Sequence, residues 1–235
     1  MSPAKRPPVK GAKRPPVKDR SSAATRPRRA RPEPARAEAG RALVEGARTL
    51  AGADLAGADL ARASLRGRDL RGADLSGADL TGATLFACDL RGARLGGARL
   101  AGARLVLCDL RGAALDGAHL REASWTACAL GEARLERADL EDGRFVAVSL
   151  ARAVLDRADL SEASFVLCSF AGATLAGARA EGARFALSTF RGADFTRARL
   201  SRARFALASL RGAVLHRTTG LSRDSFAMVY FPRPA

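Results

Sequence analysis

Large apolar residues recur at every fifth position between Leu55 and Leu215. Leu, Phe or Trp occupies each of these positions except Ala180, and the residue two places earlier is usually Ala. Five steps along an α-helix rotate the side chain by a net angle of about 140°, which would spread these residues around the helix. A continuous strand would send alternate ones to opposite faces, since five is odd. The repeat therefore predicts a chain that turns a corner once every five residues and brings the large residue inward.

A second period of twenty residues is superimposed on the first. Three sets of residues follow it: Cys88, Cys108, Cys128 and Cys168 two places before the inward residue; Trp125, Phe145, Phe165, Phe185 and Phe205 at the inward position; and Arg71, Arg91, Arg111, Arg191 and Arg211 at an outward position. Four units of five residues make one period. The pattern predicts a four-sided coil whose sides stack into columns.

The units AGADL, SGADL and DRADL resemble the pentapeptide-repeat family, whose pattern is Ala, Asp or Asn, Leu and two variable residues. The resemblance covers roughly residues 51–215, about 70% of the chain. It implies an all-β fold, a right-handed quadrilateral β-helix, which is a pentapeptide-repeat solenoid of about eight coils. Repeat folds serve many unrelated roles, so the resemblance predicts the fold more strongly than the function.

The chain divides into four parts. Residues 1–34 hold KRPPVK twice among many prolines, and they predict a disordered basic tail. Residues 35–50 lose the prolines and are Ala-rich, as expected of an N-terminal cap or linker that can form a short helix. The β-helix itself follows over residues 51–215. Residues 216–235 are expected to cover the last coil or to mediate an end-to-end dimer.

The net charge of +16 is concentrated in the tail, because residues 1–45 hold 13 Lys or Arg against 4 Asp or Glu. This segment is either an arm that binds nucleic acid or another anionic surface, or a solvated extension. No apolar run is long enough for a membrane span or a secretory signal peptide. Four cysteines in such a chain predict a reducing, cytoplasmic location with free thiols.

The inward positions offer little chemistry. The aromatic column is interpreted as core packing, not as a ligand cage, and the cysteines as small buried thiols. Neither His119 nor His216 lies on the cysteine side, so no metal site is predicted. We identify no catalytic constellation and expect a non-enzyme without a cofactor.

One side carries apolar residues where the others have Gly or charge. These are Phe86, Val106, Leu107, Val146, Val166, Leu167, Leu187 and Leu207. If they point outward, they form a strip on the order of 350 Å², which approaches the size of an interface. Partial burial at the corners, or a flank folded over the strip, is the alternative.

A second candidate surface is a basic patch on two adjoining sides of the last coils. It consists of Arg179, Arg184, Arg197, Arg199, Arg202 and Arg204. Arginines at coil spacing could follow a phosphate backbone or an acidic protein. A solvated arginine-rich face explains them equally well.

Three functions are compatible with these features. The first is a non-catalytic scaffold that binds an unidentified protein, or a second copy of itself, through the faces of the solenoid. The second follows from the family resemblance and is DNA mimicry that protects or modulates DNA gyrase or another topoisomerase. Its charge support is weak, because only Asp54, Asp59, Asp69, Asp74 and Asp79 make the first coils acidic. The third is nucleic-acid association through the tail and the basic patch.

Overall fold

A computed structural model of the protein describes residues 49–227 together with Gly46. The basic tail over residues 1–34, nearly all of the expected cap over residues 35–50, and residues 228–235 lie outside the described residues. The predictions for these segments stay predictions. None of the described helices is long and apolar enough to span a bilayer.

One side of the coil is a parallel sheet, which has nine short strands in the described part of the chain. Strands that follow one another in sequence are also neighbours in the sheet, and paired residues lie twenty positions apart, as Leu65 and Leu85 do. The last pair differs by one residue, since Phe205 pairs with Phe226. The strands are β1 (Ser64–Arg66), β2 (Thr84–Phe86), β3 (Arg104–Val106), β4 (Ser124–Thr126), β5 (Arg144–Val146), β6 (Ser164–Val166), β7 (Arg184–Ala186), β8 (Arg204–Ala206) and β9 (Phe226–Ala227).

Single parallel bridges hold the other three sides. They join Asp54 to Asp74, Asp59 to Asp79 and Asp69 to Asp89, and each ladder continues in steps of twenty residues. Four ladders with this common step mean that one turn consumes twenty residues over four sides. The predicted all-β quadrilateral solenoid of about eight coils is therefore confirmed. Its regular ladder continues beyond Leu215, since Thr219 still bridges to Arg199.

Three of the four corners are closed by a hydrogen-bonded turn. In the first coil the Ala53 N–H donates to the Leu50 carbonyl at 3.0 Å, and the Ala58 N–H donates to the Leu55 carbonyl at 3.0 Å. The third residue of such a turn has a positive φ, as Gly52 does at 69°. Glycine adopts this conformation without a clash of Cβ, which explains the frequent Ala-Gly pairs.

The fourth corner follows each strand of the sheet and is built differently. From β2 to β8, no backbone hydrogen bond closes a turn here among the described residues, and the chain reaches the corner extended. The corner residue still has a positive φ, as Leu107 does at 56°. This corner separates the sheet from the side that carries Asp69, Asp89 and Asp109.

The core consists of the large residue of each unit and the small residue two places before it, and nearly all of these are buried. An aromatic stack fills the sheet side, with ring centroids 4.6 Å apart for Phe145 and Phe165 and 5.2 Å apart for Phe165 and Phe185. Phe226 extends the stack beyond Phe205 at 5.7 Å. The aromatic column is core packing, as predicted.

Candidate binding surfaces

The eight apolar residues predicted as an interface lie together at the fourth corner, where they form what we call the apolar ridge. Two adjacent columns compose it. Phe86, Val106, Val146 and Val166 end their strands, with Thr126 between Val106 and Val146 in the register, and Leu107, Leu167, Leu187 and Leu207 follow at the corner. The four leucines are 50–56% exposed. Val106 and Val166 are half-buried.

The ridge leucines adopt the left-handed backbone conformation, with φ between 51° and 57°. A residue with a Cβ pays roughly 1–2 kcal/mol for this conformation. Among the described residues, those at the matching position of the other three corners are Gly, Arg, Glu or Asp, whereas the fourth corner carries Gly, Ala or Leu. Large apolar side chains therefore occupy a strained and exposed position at one edge of the solenoid.

The side next to the ridge loses its charge in the later coils. Its outward residues from the fourth coil onward are Ala129, Ser149, Ser169, Thr189 and Ser209, all half-buried. The ridge and this side together form a continuous surface without a charged group at these positions. We call these five residues the uncharged flank.

In the first coils the same side carries a ladder of alternating charges. Arg71 contacts Asp69 at 2.7 Å and Asp89 at 3.8 Å, and Arg91 contacts Asp89 at 2.6 Å and Asp109 at 3.7 Å. The side-chain hydrogen bonds of Arg71 lower the pKa of Asp69 to about 2. The twenty-residue period of these arginines predicted that they form an outward column. The sequence analysis did not identify their carboxylate partners.

The basic patch is less uniform than its sequence suggested. Arg179 and Arg199 lie on one side and Arg184 and Arg204 on the next, while Arg202 stands at the edge between these sides and Arg197 at a different corner. Two members have acidic partners: Arg179 contacts Asp159 at 3.4 Å and Glu181 at 3.8 Å, and Arg202 contacts Glu162 at 3.7 Å. The carboxylates of Asp159 and Glu162 come from preceding coils.

The cysteines are free, buried thiols at the fourth corner. The Cys168 thiol lies 3.4 Å from the carbonyl oxygens of Phe145 and Val166, and burial raises its pKa to about 11. At Ser188, the hydroxyl accepts a hydrogen bond from the Cys168 N–H at 3.1 Å and donates to the Ala186 carbonyl at 2.9 Å. Small polar atoms thus bind backbone groups at the corner that lacks a turn hydrogen bond.

A protonated, enclosed thiol such as that of Cys168 is a poor nucleophile and a poor metal ligand. Within residues 49–227, no group of three or more His, Cys, Asp or Glu side chains could hold a metal ion.

The repeat units match a known protein family. The family model for pentapeptide repeats matches eight copies, over residues 50–85, 88–126, 133–170, 168–205 and 188–219. No curated protein matches significantly.

Two solved structures illustrate the likeness. HetL, a pentapeptide repeat protein involved in heterocyst differentiation regulation in the cyanobacterium Nostoc sp. strain PCC 7120, is 30% identical, with 72% of this chain and 81% of HetL covered and a TM-score of 0.35. Full-length QnrB1, a plasmid-mediated fluoroquinolone resistance protein, is 21% identical, with 71% and 90% covered and a TM-score of 0.36. The repeat model spans most of the chain, and its units coincide with the sides of the solenoid. The chain belongs to the pentapeptide-repeat family.

Proposed function

We propose that this protein is a non-catalytic scaffold that binds another protein, or a second copy of itself, through the apolar ridge and the uncharged flank. The observation that carries this proposal is the contrast between corners. Leucines stand in left-handed conformation at one edge, where the other three edges carry glycine or charge. Folding alone does not require a large apolar side chain at an exposed corner, whereas burial against a partner would compensate for its strain.

The size of the surface indicates how a partner would use it. Seven coils at about 4.8 Å with a width of about 10 Å give the ridge an area near 350 Å². A stable protein interface buries about 800 Å² on each partner. The partner would therefore cover the uncharged flank as well as the ridge, and the absence of charge on that flank keeps the desolvation cost low.

The test is a double variant, Leu167→Asp with Leu187→Asp. Asp tolerates a positive φ better than Leu does, so the fold should persist while the ridge gains two charges. The matched control is Arg137→Asp with Arg157→Asp, at φ 56° and 58° in adjacent coils on another edge. We expect the ridge variant to lose the partner or the dimer that wild type and control both retain, with unchanged circular dichroism.

Two outcomes would contradict the scaffold proposal. One is a ridge variant that keeps the same partner and the same mass by light scattering. The other is a wild-type protein that stays monomeric and shares no captured partner protein with the control.

The proposed setting is the reducing cytoplasm, which agrees with four free thiols.

Topoisomerase protection stays a prediction from the family resemblance. The carboxylates of Asp69, Asp89 and Asp109, which a DNA mimic would present, are paired with arginines in the charge ladder. A gyrase supercoiling assay with and without a quinolone tests this function, and no effect at excess protein would exclude it.

A further inference from the structure

On two sides of the first coils, ladder arginines are paired with acids one coil away. Arg94 contacts Asp74 at 2.7 Å and Arg99 contacts Asp79 at 3.4 Å, each along its own bridge ladder. The outward charge of these sides is therefore neutralised within the solenoid. Such pairing makes the surface a poor target for a highly charged partner, because each cation already has a counterion.

On two adjoining sides of the last coils, three arginines lack such a partner within residues 49–227, whereas Arg179 still contacts Asp159 at 3.4 Å. Arg179 is the ladder neighbour of Arg199, and Arg184 is the ladder neighbour of Arg204. All four are exposed, and Arg184, Arg199 and Arg204 have no acidic group within 4 Å among the described residues. Like charges at adjacent ladder positions, about 4.8 Å apart, destabilise a sheet. An anion bound across the two columns would offset that repulsion.

The column of Arg184 and Arg204 borders a shallow cleft of about 590 Å³. Its lining also includes Arg202, at the edge between the two sides, and the acids Glu162 and Asp224. Three arginines thus line one concave surface. We call Arg179, Arg184, Arg199, Arg202 and Arg204 the arginine edge.

We propose that the arginine edge binds the phosphate backbone of a nucleic-acid duplex without reading its sequence. The planar guanidinium group forms paired hydrogen bonds with phosphate oxygens, and residues 49–227 contain Arg but no Lys. Neutralising several phosphates releases counterions, and this gain requires no apolar contact.

The composition of the arginine edge favours a nucleic-acid duplex over an acidic protein and over a single-stranded nucleic acid. The outward residues between its two columns are Glu181, Gly182, Ser201 and Arg202, and none provides the apolar anchor on which protein interfaces depend. None is aromatic either, so stacking with the bases of a single strand is not provided for. The backbone of a duplex needs neither feature. This proposal is independent of the apolar ridge.

Fluorescence anisotropy with a labelled DNA duplex of about 20 base pairs tests it, using the full chain at several salt concentrations between about 50 and 200 mM. The variant is Arg184→Gln with Arg204→Gln. The matched control is Arg191→Gln with Arg211→Gln, which removes the same charge from two stacked arginines on another edge. The basic tail is present in every protein, so its contribution is common to all.

We expect the control to bind like wild type. For the variant, the slope of log K against log salt concentration should become shallower by about 0.9 for each phosphate that the protein no longer neutralises. Equal weakening in variant and control would overturn the proposal, because it would mean that net charge alone decides. Absence of duplex binding would overturn it too. So would an arginine edge that binds poly-glutamate or single-stranded DNA but not the duplex.

Discussion

The side chain at each corner determines what that edge of the solenoid can do. All corner residues share a positive φ, so backbone geometry by itself favours Gly everywhere. Arg, Glu and Asp at three corners keep their charges in water. At the fourth corner Ala87, Ala127 and Ala147 occupy the same position as the ridge leucines, so a large side chain is not needed for folding there.

This comparison predicts that Leu187→Ala changes the free energy of unfolding by less than about 1 kcal/mol, since the side chain is half-exposed and Ala occurs at the equivalent position. Leu200→Ala, the same change at a fully buried site, should cost about 2–5 kcal/mol. Urea denaturation of both variants measures the difference. Equal losses would mean that Leu187 stabilises the fold and would remove the argument for binding.

A ladder of alternating charges runs along one side of the first coils. It consists of Asp69, Asp89 and Asp109 with Arg71, Arg91 and Arg111. Each guanidinium contacts the carboxylate of its own side, and Arg71 and Arg91 also approach that of the next coil. Hydrogen bonds from these arginines lower the pKa of all three carboxylates. The ionised carboxylates therefore stabilise the folded state above their usual pKa, and this contribution is lost as the pH falls towards 2.

We expect Arg91→Gln to make the loss of thermal stability between about pH 4 and pH 2 less steep, because the pKa values of Asp89 and Asp109 rise towards that of the unfolded chain. Arg191→Gln is the control, since Arg191 occupies the same column but the residue two places before it is Thr189, not an aspartate. Melting temperatures across this pH range measure both. A profile for Arg91→Gln that matches wild type would show that the ladder contributes no pH-dependent stability.

The whole solenoid is stabilised by contacts between successive coils, so stability is distributed along its axis. The aromatic stack is continuous from Trp125 to Phe226, and Phe165 contacts rings on both neighbouring coils. Surface charge is not distributed evenly: Arg94 and Arg99 in the first coils have acidic partners, whereas Arg184, Arg199 and Arg204 in the last coils have none within 4 Å among the described residues. One rigid core thus carries two chemically different surfaces, the apolar ridge with its flank and the arginine edge.

Position in the stack predicts the cost of removing a ring. Phe165→Ala should lower the free energy of unfolding by about 3–5 kcal/mol, because its ring is fully buried between two others. Phe226→Ala should cost clearly less, since Phe226 is half-buried at the last strand. Chemical denaturation of the two variants tests this. A larger loss for Phe226 would mean that the last strand controls the stability of the whole solenoid.

The sequence by itself determined the architecture and the core of this protein. Contacts between coils of this solenoid join residue i to residue i+20, so the period of the sequence predicts which side chains are neighbours. The inward positions of Leu, Phe, Ala and Cys follow from the five-residue repeat. The same repeat placed the ridge and the basic patch on particular sides.

Only the tertiary structure decided what those surfaces are. Turn type differs between corners, and the direction of a side chain there depends on φ, which the repeat pattern does not encode. Ion pairing depends on rotamers and on neighbours from other coils: Arg202 contacts Glu162, forty residues earlier in the chain, whereas Arg184 has Arg204 as its neighbour in the sheet register. The sequence therefore determined which residues face outward, and three-dimensional proximity decided which of their charges remain available to a partner.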